Sequence, residues 1–129
     1  MASLEIYQKI PEKCTLKYAA VGAKINGIHT DIIINEYSNR FFIILTQYKK
    51  LGSLISVYKE TQRDSSGKDE VFQVKTIQGK EEPDWELAAR FLTEQTNINK
   101  PVLYSICLQE CSLKTLKALK DIVIKNKLW

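Results

Sequence analysis

The 129-residue sequence holds little of several things that usually declare a function. It has one histidine, His29, and three cysteines, Cys14, Cys107 and Cys111. An odd, unpaired set of three is no disulfide framework, and small secreted domains carry a denser, even set. Cys107 and Cys111, with three residues between them, match the close ligand pairs of a zinc site only loosely, and Cys14 and His29 stand alone, so no metal is expected. The longest apolar run is Phe41–Leu45, far short of the roughly 18 residues of a spanning helix. Met1–Ile6 lacks the basic flank and long apolar stretch of a signal peptide, and no Asn-x-Ser/Thr site occurs. A soluble intracellular chain with reduced thiols is therefore expected, in the cytoplasm and with the nucleus as a second compartment. With 5 Gly and 3 Pro, collagen-like and linker-like chains are excluded. There is no Gly-x-Ser-x-Gly elbow, phosphate loop or dinucleotide-binding glycine pattern. His29 with Asp31 could form an oriented base, but nothing supplies a nucleophile, and a surface histidine on a strand is the simpler reading. No enzyme and no cofactor are expected.

What is present is a moderately apolar chain, 44% hydrophobic and 26% charged, with a formal charge of +4. That suits one domain with one core. Residues 1–17, broken by Pro11, read as an irregular N-terminal arm, and 18–129 as a single domain. Asn26-Gly27 between β-prone runs predicts a tight hairpin, since both residues tolerate positive φ. Strands are expected near 28–36, 41–48, 53–58, 70–77 and 102–108, with turns at Ser38–Arg40 and Lys49–Gly52. The polar stretch Thr61–Asp69 reads as a mobile loop. Pro83 opens a helix whose Leu87, Ala88, Phe91 and Leu92 share a face. Ser112 caps a second helix, with Leu113, Leu116, Leu119 and Val123 inward. The fold class is α+β: a mostly antiparallel sheet of about six strands with two long helices packed on one face.

The apolar content is distributed in a way that predicts a partner. Phe41, Ile43 and Leu45 lie on one strand face, but Phe42 and Ile44 lie on the other. Val102–Leu108 is apolar on both faces in the same way. Two helices about 10 Å wide cover about four strands spaced about 4.8 Å, and only on one side. The other face is left available for dimerisation, either with a second copy or with a related subunit. Parity alone leaves open which row faces the partner, because a one-residue shift of register exchanges them.

Charge is segregated along the chain. Residues 1–50 hold 7 basic and 4 acidic side chains, 51–100 hold 7 and 9, and 101–129 hold 5 and 2. The acidic group Glu81, Glu82, Asp84 and Glu86 fits the positive end of a helix better than acid–base catalysis. Lys114, Lys117, Lys120, Lys125 and Lys127 form either a stripe for phosphates and acidic proteins or ordinary solvated surface. A small basic nucleic-acid-binding protein is one alternative reading, although no ribonucleoprotein motif or zinc-finger spacing supports it. A heterodimeric adaptor for some other assembly is another.

The segment Phe41–Val57 (FFIILTQYKKLGSLISV) resembles the signature of the proteasome assembly chaperone 3 family: an apolar run, Thr46-Gln47-Tyr48, a basic turn ending in Gly52, then Ser53. Gly79 and Glu82-Pro83 resemble the family's entry into its first long helix, and Leu116–Lys120 through Leu128-Trp129 resemble its C-terminal end. The resemblance runs from about Val21 to Trp129. It implies a non-catalytic chaperone of 20S proteasome biogenesis, paired with a proteasome assembly chaperone 4-like subunit. Such a pair would bind α-type subunits, promote α-ring formation and then dissociate. On that basis Thr46, Gln47, Lys49, Lys50 and Ser53, with Arg63–Asp69 as a further element, are expected to contact an α-type subunit. Phe42 and Ile44 are expected at the dimer interface, and the isolated chain could use the same face to homodimerise.

Overall fold

In the computed structural model the described residues are 17–49, 51–64 and 67–129. The expected N-terminal arm lies outside them, apart from Lys17, which opens the first strand. The elements are β1 (Lys17–Ile25), β2 (Ile28–Glu36), β3 (Phe41–Thr46), β4 (Ser53–Asp64), β5 (Gly67–Gln78), α1 (Pro83–Gln95), β6 (Val102–Cys107) and α2 (Leu113–Asn126). The sheet order is β1-β2-β3-β6-β4-β5. Every neighbouring pair is antiparallel except β3 with β6, which is parallel.

The β1–β2 turn is the Asn-Gly hairpin the sequence suggests, with φ of 52° at Asn26 and 77° at Gly27. Beyond it, two local expectations fail. The link from β3 to β4 is not a hairpin, because β6 lies between the two strands. Residues 47–49 and 51–52 instead arch over the C-terminal end of β6, with Gln47 bonded to Cys107 and Gly52 to Ser105. Thr61–Asp69 is not a loop either: β4 and β5 stay paired out to Asp64 and Gly67. Only Ser65 and Ser66, at the tip, fall outside the described residues.

The core lies between one sheet face and the two helices. Phe41, Ile43 and Leu45 of β3, Val102, Tyr104 and Ile106 of β6, and Ile55 and Val57 of β4 are buried there. They pack with Ala88, Ala89 and Leu92 of α1 and Leu116, Leu119 and Val123 of α2. Each fully buried aliphatic or aromatic side chain contributes about 1.5–3 kcal/mol. Two residues expected on the inner helix faces are not there: Leu87 is 60% and Leu113 59% exposed. Leu87 falls on the side of α1 turned away from the buried Ala88, Ala89, Leu92 and Thr93, and Leu113 is the first residue of α2, off the stripe formed by Leu116, Leu119 and Val123. Burial pushes the Tyr104 phenol upward from its usual pKa, and its hydroxyl meets Thr93 Oγ1 at 2.8 Å.

The chain closes on itself at its C-terminus. The Trp129 indole N–H donates to the Thr96 carbonyl at 2.9 Å, and its ring tilts against Phe41 with centroids 4.8 Å apart. At the opposite end, Glu110 ties the β1–β2 turn to the start of α2. It accepts from Asn26 Nδ2 at 3.1 Å, Ser112 N at 2.9 Å and Thr115 Oγ1 at 2.5 Å. Ser112 caps α2 by accepting from Thr115 N. Hydrogen bonds from Ser112, Thr115 and Asn26 hold the Glu110 carboxyl down at about 2, below its ordinary 4.5. A lowered carboxylate pKa stabilises the fold above the ordinary value, and the contribution disappears as pH falls through the folded value. Glu110→Gln should therefore melt below wild type at neutral pH, with the gap narrowing below about pH 4.5 and closing near pH 2. Thermal melts across that range would show it; a gap independent of pH would separate the effect from ionisation.

Candidate functional site

Among the described residues, the face of the sheet opposite the helices is covered only near the C-terminal end of β6, where Ser105 and Cys107 are buried. Alternation places Phe42 and Ile44 of β3 on it, both half-buried, while their odd-numbered neighbours are fully buried under the helices. The choice between the two rows of β3 is thus made by the helices: Phe41, Ile43 and Leu45 belong to the core, and the Phe42–Ile44 row is open. In register with it, Ile33 stands beside Ile44, and Leu103 beside Phe42. Ala20 continues the row on β1, and Leu54 lies across from Ser105 on β4. At 67% exposure, Tyr18 on the edge strand is the most exposed large apolar residue among those described.

The arch over β6 forms one wall of this face and is clamped at both ends. Gln47 N donates to the Cys107 carbonyl at 2.9 Å. The Gln47 side chain accepts from Gln109 N at 2.7 Å and donates to Thr30 Oγ1 at 3.1 Å, and Gln109 Nε2 returns a bond to the Gln47 carbonyl at 3.2 Å. Gly52 N donates to Ser105 Oγ at 3.2 Å, and Ser53 Oγ to the Lys80 carbonyl at 2.6 Å. Gly52 is obligatory here, because a Cβ would overlap the Ile106 carbonyl. Gly79 is equally close on the other side, with its built Cβ 2.9 Å from Ser53 Oγ.

This geometry redistributes the residues expected to bind a partner. Thr46, Gln47 and Ser53 are buried, and the bonds above commit Gln47 and Ser53 to the fold. Thr46 Oγ1 accepts from Tyr48 N at 3.1 Å. Lys49 is exposed as expected, in the left-handed region at φ 55°. Lys50 lies outside the described residues. The exposed side chains that sequence reasoning passed over are Tyr48, 51% exposed, and Leu51, 65% exposed. Their signal was their place inside a turn, where a large apolar side chain has no core to enter.

Between the arch and β1–β2 the open face deepens into a groove of about 490 Å³. Its apolar lining comes from Ala20, Val21, Ile33, Ile44 and Leu51, and its two charged residues are Asp31 and Lys49. His29 Nε2 lies 2.9 Å from Asp31 Oδ1, on the strand face where the sequence placed the pair. Among the described residues no group of three or more His, Cys, Asp or Glu side chains converges. The Cys111 thiol is pushed up to about 11, first by burial and then by the charges of Asp84, Glu110 and Glu82, so it is a weak nucleophile at neutral pH. Lys114, Lys117, Lys125 and Lys127 are exposed along and just beyond α2, on the far side of the molecule from the groove.

Fold and open face together define a class: small α+β domains with one sheet face closed by their own helices and an apolar face left unpartnered. The model of the proteasome assembly chaperone 3 family matches residues 43–126, from β3 to the end of α2. A proteasome assembly chaperone 3 of Nematostella vectensis is 31% identical over 106 residues, covering 75% of this chain and 78% of that protein. The Bos taurus protein of the same description is 25% identical over 111 residues, covering 83% and 89%. The chain belongs to the proteasome assembly chaperone 3 family. Its fold is also that of a chain in the crystal structure of a chaperone complex for yeast 20S proteasome assembly. The TM-score is 0.66 at 11% identity, covering 86% of this chain and 97% of that one.

Proposed function

We propose that this chain is a non-catalytic chaperone of 20S proteasome core assembly. It pairs through its open sheet face with a proteasome assembly chaperone 4-like subunit, binds α-type subunits, promotes α-ring formation and dissociates before the particle matures. The observation that carries this reading is the Phe42–Ile44 row, left open on a sheet whose other face is closed by the helices over its central strands, in a chain of this family. The relatives' names and the yeast complex support the proteasome as the assembly served. A chaperone that must leave needs moderate affinity, which favours charged contacts beside the apolar ones. Lys49 and Lys50 of the arch are assigned that part for the α-type subunit.

Affinity purification of the tagged chain from its source cell, with identification of the co-purifying chains, tests the reading. Recovery of α-type subunits together with a partner of similar size is expected; recovery of neither would overturn it. Reversing Lys49 and Lys50 to Glu should weaken α-type subunit binding by about tenfold or more and invert its salt response. Unchanged affinity and salt dependence would remove the arch lysines from the contact.

A further inference from the structure

The groove beside the arch carries a more specific recognition chemistry. Its walls are aliphatic, from Ile33, Ile44 and Leu51, and its volume of about 490 Å³ lies in the range that takes a large side chain or a small ligand. Its charges are not balanced internally. Asp31 already has a partner in His29 at 2.9 Å. Lys49 has no carboxylate within ion-pair distance among the described residues. Beside an apolar wall, an uncompensated cation favours an incoming anion more strongly than it would in open water.

Two further observations make the cation part of a built feature. The arch is anchored by Gln47 at one end and by Gly52 and Ser53 at the other, on either side of Lys49 and Leu51. A clamped contact loses little conformational freedom on binding. Lys49 also sits at φ 55°, a conformation in which a lysine is uncommon.

We infer that this groove receives one bulky apolar side chain of a partner protein that carries a carboxylate next to it, with the carboxylate paired to Lys49. The side chain covers Ile33, Ile44 and Leu51, and the ion pair sets its orientation. The inference rests on the reading that Lys49 contacts an α-type subunit, and it deepens that reading by naming what that subunit must present beside the dimer row.

The test uses two small probes that differ only in the charge, N-acetyl-L-tryptophan and its amide, titrated into the full isotopically labelled chain and followed by amide NMR shifts. Both should move the resonances of Gly22, Ile33 and Ile44. The acid should bind about fivefold more tightly than the amide at low salt, as a single solvent-accessible ion pair would give, with the preference shrinking at high salt. Lys49→Met should abolish the preference for the acid. The titration is run on wild type and on Phe42→Asp, so that a groove covered by self-association in the first is open in the second. No shift at the groove in either protein, equal affinity for both probes, or an acid preference that survives Lys49→Met would each overturn the inference. These outcomes do not depend on which chains co-purify from the cell, so failure of the groove and failure of the proteasome reading remain distinguishable.

Discussion

Replacing Phe42 with Asp is expected to leave the fold intact and abolish dimer formation. Phe42 belongs to the open row, and the core it would need to disturb lies on the opposite face, under α1 and α2. Its in-register neighbours, Asn35 and Leu103, do not depend on it for a hydrogen bond through its side chain; Asn35 Nδ2 reaches the Phe42 carbonyl at 3.4 Å, which the substitution keeps. In a dimer built on this face, the change removes about 2–3 kcal/mol of aromatic burial. It also places an unpaired carboxylate against an apolar surface, a penalty of about several kcal/mol. Together these should raise the dissociation constant by about three orders of magnitude or more. Light scattering should report a monomer at concentrations where wild type is dimeric, alone or with its partner subunit. Circular dichroism should report a melting temperature within about 4 °C of wild type. A persistent dimer with an intact fold would move the interface off the Phe42 row, leaving the exposed edge strand with Tyr18 as the next surface to examine.

The contrast between Phe41 and Phe42 shows how far local sequence carried the fold. Alternation along 41–45 correctly separated two faces and indicated that both were apolar, but parity has no reference to say which face meets a helix. That choice is made by α1 and α2, which follow roughly 40 and 70 residues later. Asn26-Gly27 was legible because a two-residue turn has only local requirements. The arch was not. Its sequence, Tyr48 to Gly52 between two apolar strands, has the look of a hairpin turn, and only the insertion of β6 pulls the strands apart. Val102–Cys107 did signal a central strand by being apolar on both faces, without saying which strands flank it. The same gap explains the binding residues. Gln47 and Ser53 look available in a solvent-facing turn and are instead used up by Gln109, Thr30 and Lys80, partners contributed by other parts of the chain. Tyr48 reads as the end of the 41–48 strand and Leu51 as a turn residue, because two residues beside a turn carry no periodic signal; the strand in fact ends at Thr46.

Gly52→Ala should be the most destabilising single methyl that can be added to this face. A Cβ at position 52 would overlap the carbonyl of Ile106 and lie 2.7 Å from the Cys107 Cβ. The obstruction is backbone, so no rotamer change relieves it. Moving β4 away would break its pairing with β6 at Ser53↔Ile106, and moving β6 would disturb the bond from Gln47 N to the Cys107 carbonyl. Overpacking of this kind costs about 3 kcal/mol, which for a chain of this size lowers the melting temperature by roughly 10 °C. Gly27→Ala is the control: Gly27 has φ 77° but nothing within 4 Å of its built Cβ, so it should lose only about 1 kcal/mol of backbone preference. The two variants therefore separate close approach from conformational freedom. In Gly52→Ala the arch would also be displaced from β6, so binding of the tryptophan probes at the groove should weaken even below the melting transition. A variant that melts within about 3 °C of wild type and keeps the groove would show that β4 can enter the sheet without this close approach.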